Sequence, residues 1–144
     1  MTVTLREVTK ENVREVAGLG LPPEQRDYVA PNVRSLAEAY VEPLAWPRAI
    51  YAGDEPGGFL MLHANDETQE YFLWRLMVAG EHQGKGYGRR ALELLVDEVR
   101  ARGGTSLRSS FEEGEHSPRG FYLGFGFQET GKRVGNETEI TLPL

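Results

Sequence analysis

The segment Gln83-Gly84-Lys85-Gly86-Tyr87-Gly88-Arg89-Arg90 is the densest chemical signal in the chain. Its three glycines in five residues let the main chain approach a ligand closely, because no Cβ stands in the way. The segment separates an apolar run from a long amphipathic stretch, so its N–H groups stand at the amino end of a helix. Free N–H groups there, backed by the positive end of the helix dipole, make a seat for an anion such as a pyrophosphate. Lys85, Arg89 and Arg90 occupy positions where a cation costs about 0.3–1 kcal/mol each unless an anion is bound. In a chain whose net charge is -6, that arrangement argues for a phosphate ligand. The alternative is a glycine-rich turn with solvated basic side chains.

Two other phosphate motifs can be tested against the same residues. A Walker loop needs GxxxxGK followed by Ser or Thr, whereas Gly80 and Gly84 are only four apart and Lys85 precedes Gly86. Gly86-x-Gly88-x-x-Ala91 satisfies the looser dinucleotide fingerprint, with Glu112 near the distance of a ribose-binding acid, so a nicotinamide-dependent enzyme stays open. Against it, the loop comes past mid-chain, and too few residues follow to build the further units of a doubly wound fold.

The chain has no cysteine, which removes disulfides, thiolate metal sites and a cysteine nucleophile together. His63, His82 and His116 stand too far apart for a local metal motif, and no metal is expected. The 16 Lys plus Arg against 22 Asp plus Glu are the opposite of a phosphate-backbone footprint, so nucleic acid is not an expected partner. The start, MTVTLREVTKENV, lacks the basic and then apolar pattern of a signal peptide. No apolar run approaches the roughly 20 residues needed to cross a bilayer, so a cytoplasmic location and no membrane partner are expected. The length of 144 residues fits one domain, 1–144.

The elements that must position the loop follow from periodicity and punctuation. Thr2 to Val8 read as a first strand and Lys10 to Leu19 as a short helix ended by Gly18 and Gly20. The stretch LPPEQRDYVAPN reads as loop. Ser35 with Glu38 has capping-box spacing and opens a helix through about Val41, packed by Leu36 and Tyr40 and closed by Pro43 and Pro47. Arg48 to Ala52 and Gly58 to His63 flank a turn-rich segment and form an antiparallel pair. Tyr71 to Val78 is almost continuously apolar, which suggests a central strand covered on both faces. Leu92, Leu95, Val96 and Val99 fall at i, i+3, i+4 and i+7, the strongest helical period in the chain, which Gly103-Gly104 ends. Thr105 to Ser110 is a strand, Ser117 and Pro118 start another helix, and Phe127 to Val134 with Glu137 to Leu142 make a closing hairpin turned at Gly135-Asn136. The class is α/β: a mixed sheet of about seven strands, in which a central strand feeds the long helix and returns as a parallel neighbour.

At these residues the chain resembles the GNAT superfamily of N-acetyltransferases, whose signature Q/R-x-x-G-x-G/A is matched by Gln83 to Gly88. The resemblance extends from about Tyr71 to Phe127, through Leu76 to Val78 before the loop, the helix from Gly86 to Arg102, and Phe121-Tyr122-Leu123-Gly124-Phe125-Gly126-Phe127. The amino-terminal part, with Gln25, Tyr28, Val29, Asn32 and Ser35 to Ala39, is similar to bacterial spermine/spermidine acetyltransferases. The resemblance implies a splayed parallel pair of strands, about four flanking helices, and acetyl-CoA as co-substrate. It also implies cofactor contacts from Leu76, Met77, Val78, Gln83, Gly84, Lys85, Gly86, Tyr87, Gly88, Arg89 and Ser117, with the pantetheine arm beside Leu76 to Val78. Glu115 and Pro118 stand where many members carry Asn and Ala. The carboxylate that polyamine enzymes often use falls on Trp74.

The reaction implied is transfer of acetyl to a primary amine of a small molecule, polyamine-like compounds included, by direct attack because no cysteine is present. An alkylammonium with pKa about 10.4 must lose a proton at pH 7, at roughly 4.6 kcal/mol, so a base or a proton-conducting water is required. Glu70, Glu115 and His116 are the candidates, each also readable as a solvated surface group. Tyr122 is the candidate acid for the departing thiolate, the catalytic residue the resemblance implies; the alternative is a core aromatic among Phe121, Phe125 and Phe127. The resemblance also implies a backbone N–H near Val78 that polarises the thioester carbonyl. Tyr28, Tyr40, Trp46 and Trp74 are candidates to wall an amine site through cation–π attraction, or simply to pack. A non-catalytic acyl-CoA sensor and a peptide amino-group acetyltransferase remain alternatives, and a homodimer is compatible with the family.

Overall fold

The computed structural model describes residues 2–144. The chain runs β1 (Val3–Arg6), α1 (Val13–Gly18), a 3₁₀ segment (Pro23–Tyr28), α2 (Asn32–Val41), β2 (Ala45–Ala52), β3 (Glu55–Asn65) and β4 (Glu70–Val78). A short 3₁₀ turn (Gly80–His82) then leads to α3 (Tyr87–Ala101), β5 (Ser106–Phe111), α4 (Arg119–Phe125), β6 (Gln128–Val134) and β7 (Glu137–Pro143). The seven strands form one sheet in the order β1-β2-β3-β4-β5-β7-β6. Every neighbour is antiparallel except β4 and β5, the parallel pair that the crossover through α3 requires.

Helices on the two faces bury two sets of apolar side chains. The period read at Leu92, Leu95, Val96 and Val99 becomes the buried stripe of α3, which packs on Leu60, Leu62, Tyr71, Leu73 and Leu107 of the sheet. On the other face Val16 of α1 meets Phe59, Met61 and Met77, with Leu36 of α2 at the margin.

The parallel pair is short. Only Phe72 with Arg108 and Leu73 with Ser109 are in register, after which the strands separate. The Ser109 hydroxyl donates to the Leu73 carbonyl at 2.9 Å, the last clasp before the split. Beside it β4 carries a bulge: Leu73 faces Leu62 and Arg75 faces Met61, so Trp74 has no partner across the strand. The extra residue turns Trp74 and Arg75 to the α1–α2 face, where Trp74 packs near Met77 and Arg75 reaches Glu38 of α2.

Several sequence expectations are corrected. Ser35 is no cap: α2 begins three residues earlier, after Pro31, whose fixed φ of -58° sets the helix entry. Ser35 is therefore fully buried inside the helix, and its hydroxyl has no partner among the described residues. Tyr40 does not pack; it is 91% exposed at the end of α2. The stretch read as loop contains the 3₁₀ segment that Pro22-Pro23 initiates. Pro47 does not close α2 but lies inside β2, paired with Met61, at a point where β1 has ended and the missing N–H is tolerated at a local edge. Ser117 sits one residue further from its helix than expected, its hydroxyl accepting the Arg119 N–H at 3.2 Å.

Candidate active site

Gly84 and Gly86 take left-handed φ values of 76° and 82°, which side chains rarely adopt. These two residues turn the chain from β4 into α3, with Gly86 in the capping position. As a result the N–H groups of Gly84, Lys85, Gly86, Tyr87, Gly88 and Arg89 have no protein acceptor in good hydrogen-bond geometry among the described residues, and the helical ladder begins only at Arg90, bonded to the Gly86 carbonyl at 3.1 Å. Behind them lies the 15-residue α3 with its dipole. A Cβ on Gly84 or Gly86 would meet open space, whereas one on Gly88 would stand 3.5 Å from Val78 and 3.6 Å from Phe121. The loop thus presents bare amides to a cavity of about 440 Å³.

That cavity brings together Leu76, Met77, Val78, Gln83, Gly84, Gly86, Tyr87, Gly88, Arg89 and Tyr122. Lys85 and Ser117 do not line it. The Gln83 side chain is spent on the protein: it donates to the Val78 carbonyl at 2.9 Å and to Gln25 at 2.8 Å, tying the end of β4 to the 3₁₀ segment. Arg89 stacks over Phe125 at 5.3 Å, and Arg90 pairs with Glu93 at 3.3 Å. Gln25, Tyr28, His82 and Phe121 also line the cavity. In the sequence Gln25 stands out only through the looser amino-terminal resemblance, and Tyr28 through that resemblance and as an aromatic candidate for an amine wall, since neither lies near the loop along the chain.

A second cavity, of about 560 Å³, opens where β4 and β5 diverge. Trp74, Arg75, Ser110 and Glu137 line it, and it shares Tyr28, Val29, Leu76, Pro118 and Tyr122 with the first. Tyr122 therefore stands at the junction. It is 6% exposed, parallel to Phe111 at 6.3 Å and edge-on to Phe121 and Phe127 at 5.3 and 5.5 Å. Burial pushes its phenol well above the ordinary tyrosine value, the Ser109 hydroxyl opposes this, and Glu137 adds to it. The group is a proton donor and not an anion at neutral pH.

The three candidate bases are separated by the fold. His116 lines the first cavity and its backbone N–H donates to the Tyr28 hydroxyl at 3.3 Å. Glu115 points outward, its side chain 90% exposed. Glu70 begins β4, at the other end from Val78, 3.9 Å from Arg108, and lines neither cavity. Of the four aromatic residues read as an amine wall, Tyr28 and Trp74 line the second cavity. Trp46 is elsewhere, capped by the guanidinium groups of Arg48 and Arg102 at 4.0 and 5.5 Å.

The sheet thus splits beside a bare-amide turn, with a tyrosine between two cavities, a site built to take an anion and a second molecule side by side. Residues 6–127 match the acetyltransferase (GNAT) family, and the chain belongs to it. A search of curated protein sequences finds no significant match. Among solved structures the chain is similar to an acetyltransferase from Thermus thermophilus, 24% identical over 100% of this chain and 98% of that one, TM-score 0.75. It is also similar to the spermidine N-acetyltransferase of Vibrio cholerae in complex with CoA and spermine, 17% identical over 98% and 95%, TM-score 0.76. A third is the N-acetylglutamate synthase of Neisseria gonorrhoeae complexed with coenzyme A and N-acetyl-glutamate, 18% identical over 100% of this chain and 35% of that one, TM-score 0.76. At these identities the likeness is one of fold. The family uses acetyl-CoA as co-substrate.

Proposed function

We propose that the chain transfers the acetyl group of acetyl-CoA directly to a primary amine of a small molecule. The observation that carries this reading is the row of unpartnered amides from Gly84 to Arg89, facing a cavity that meets a second one at Tyr122. The residues present fit the co-substrate. A diphosphate satisfies the free N–H groups, offsets the cations Lys85 and Arg89, and meets no Cβ at Gly84, Gly86 or Gly88. The pantetheine arm runs along the β4 edge from Leu76 to Val78, which β5 leaves unpaired. That delivers the thioester to the junction of the cavities, with the Val78 N–H as the donor that polarises its carbonyl.

The acceptor enters from the second cavity. Its nitrogen attacks the carbonyl carbon, the C–S bond breaks, and the thiolate takes a proton from Tyr122. The proton released by the amine returns to the tyrosine through His116 or water. Tyr122 suits the donor role because burial holds its proton in place.

Thiol release from acetyl-CoA, measured over polyamines, aminoglycosides, amino acids and peptide amino termini, tests the reading. Turnover with one of these classes is expected, together with thermal stabilisation by CoA and not by NAD. Affinity for acetyl-CoA with no thiol release from any acceptor overturns catalysis in favour of a sensor. A burst of acetylated protein seen by mass spectrometry overturns direct attack.

A further inference from the structure

The solved relatives show that this fold accommodates a polyamine in one case and an acetylated amino acid in another, so the fold leaves the acceptor open. The charges of the second cavity do not. Its wall carries three guanidinium groups, Arg26, Arg34 and Arg75, and two carboxylates, Asp27 and Glu137. A polyamine, cationic along its whole length, needs acids in excess there.

Arg75 is the decisive residue. It lies on the bulged part of β4 with its side chain 11% exposed. One Nη donates to Glu38 at 2.8 Å and the other to the Trp74 carbonyl at 3.3 Å. Its Nε is buried and donates to nothing. That Nε is sealed from the cavity, but each Nη of a guanidinium carries two N–H groups and only one bond is made by each here among the described residues, so Arg75 keeps Nη donors in reserve. Glu38 does not neutralise the cluster for Arg75 alone, because the same Oε1 lies 3.8 Å from Arg34 Nε. On the hairpin side of the cavity, Glu137 accepts the Ser110 hydroxyl at 2.7 Å; burial lowers the Arg75 pKa, and Glu137 lies close enough to oppose that shift and to add to the rise at Tyr122. A cation-lined side and a carboxylate side thus share one cavity, with Tyr122 where it joins the first.

Building on the acetyl-transfer reading, we infer that the acceptor carries a carboxylate as well as its amine. Arg75, with Arg34, takes the carboxylate, and Glu137 orients the ammonium toward the thioester before its proton leaves. Arg75 and Glu137 are specificity-determining residues on this account. Trp74 stacks 5.0 Å from the Arg75 guanidinium and helps hold it.

The test compares amino acids with their carboxamides and with spermidine, on the wild type, Arg75→Gln, Arg75→Lys and Arg34→Gln. Acceptor binding is read separately from turnover, as quenching of Trp74 fluorescence in a Trp46→Phe background. For wild type, kcat/KM and affinity should be about tenfold to a hundredfold higher for at least one amino acid than for its carboxamide. Arg75→Gln should erase that ratio, and Arg75→Lys should restore part of it. Arg34, 66% exposed on its helix, keeps the inference testable if the Arg75 variants do not fold, because Arg34→Gln should shrink the same ratio. Carboxamides or spermidine used as well as the amino acids would overturn the inference while leaving acetyl transfer intact. Binding of CoA with neither acceptor binding nor thiol release would overturn both.

Discussion

Tyr122 illustrates how one side chain gains a role from its surroundings. Stacked aromatic rings exclude water from the phenol, so the charged form is disfavoured and the proton is held until an incipient thiolate needs it. Tyr122→Phe should keep the packing, leave KM for acetyl-CoA nearly unchanged and lower kcat by about a hundredfold or more. Steady-state kinetics on the folded variant checks this. The same burial has a consequence at alkaline pH. A phenol whose pKa is raised on folding contributes stability that is complete below the unfolded value of about 10 and is lost as pH climbs through the folded value. Denaturant titrations above pH 10 should show wild-type stability falling, and Tyr122→Phe losing less. Some loss will persist in the variant, because Tyr71 is also raised, by burial and then by its bond to Asp66.

The elements matter through their ends and irregularities. The turn into α3 works because two left-handed residues leave a run of amides unbonded, and because Gly88 keeps the floor of the cavity clear. These are different requirements, and they separate experimentally. Gly86→Ala should cost about 1–2 kcal/mol of stability from backbone strain alone, since its Cβ meets nothing. That is a fall of roughly 2–8 °C in Tm for a chain of this size. Gly88→Val should leave the ligand-free Tm nearly unchanged and abolish the thermal shift with CoA, because its methyl groups would occupy the space between Val78 and Phe121. The bulge at Trp74 is the corresponding device in β4. By adding one residue to the strand it turns both Trp74 and Arg75 toward the face that α2 covers, which regular alternation would not do.

At the level of the whole molecule, a sheet that is continuous on one side and split in the middle must be held by its layers. β4 and β5 share only two registered pairs, so α3 bridges them from below through side chains that are fully buried. Leu95→Ala should therefore cost about 2–5 kcal/mol by urea denaturation, in a single transition. Ser109→Ala, which removes only the clasp at the split, should cost nearer 1 kcal/mol. No helix is long and apolar enough among the described residues to cross a membrane.

The sequence by itself determined the parts of this protein that depend on local pattern. Leu92, Leu95, Val96 and Val99 dictate α3 through their spacing, and the clustered Gly84, Gly86 and Gly88 announce a bare-amide turn because glycine takes left-handed backbone and close approach without a Cβ penalty. The strand count and the parallel crossover follow from the same punctuation. What only the tertiary structure decided depends on neighbours distant along the chain. Ser35 has the spacing of a cap, yet Pro31 starts the helix earlier and buries it. Tyr40 and Trp46 share the residue types of a binding wall, but one faces solvent and the other lies under arginines outside both cavities. Arg75 and Glu137, 62 positions apart in the sequence, meet in one cavity only because β4 bulges and β5 diverges from it. Periodicity registers which face a residue occupies along its own element; which charges share a cavity is fixed by packing between elements, and no local spacing encodes it.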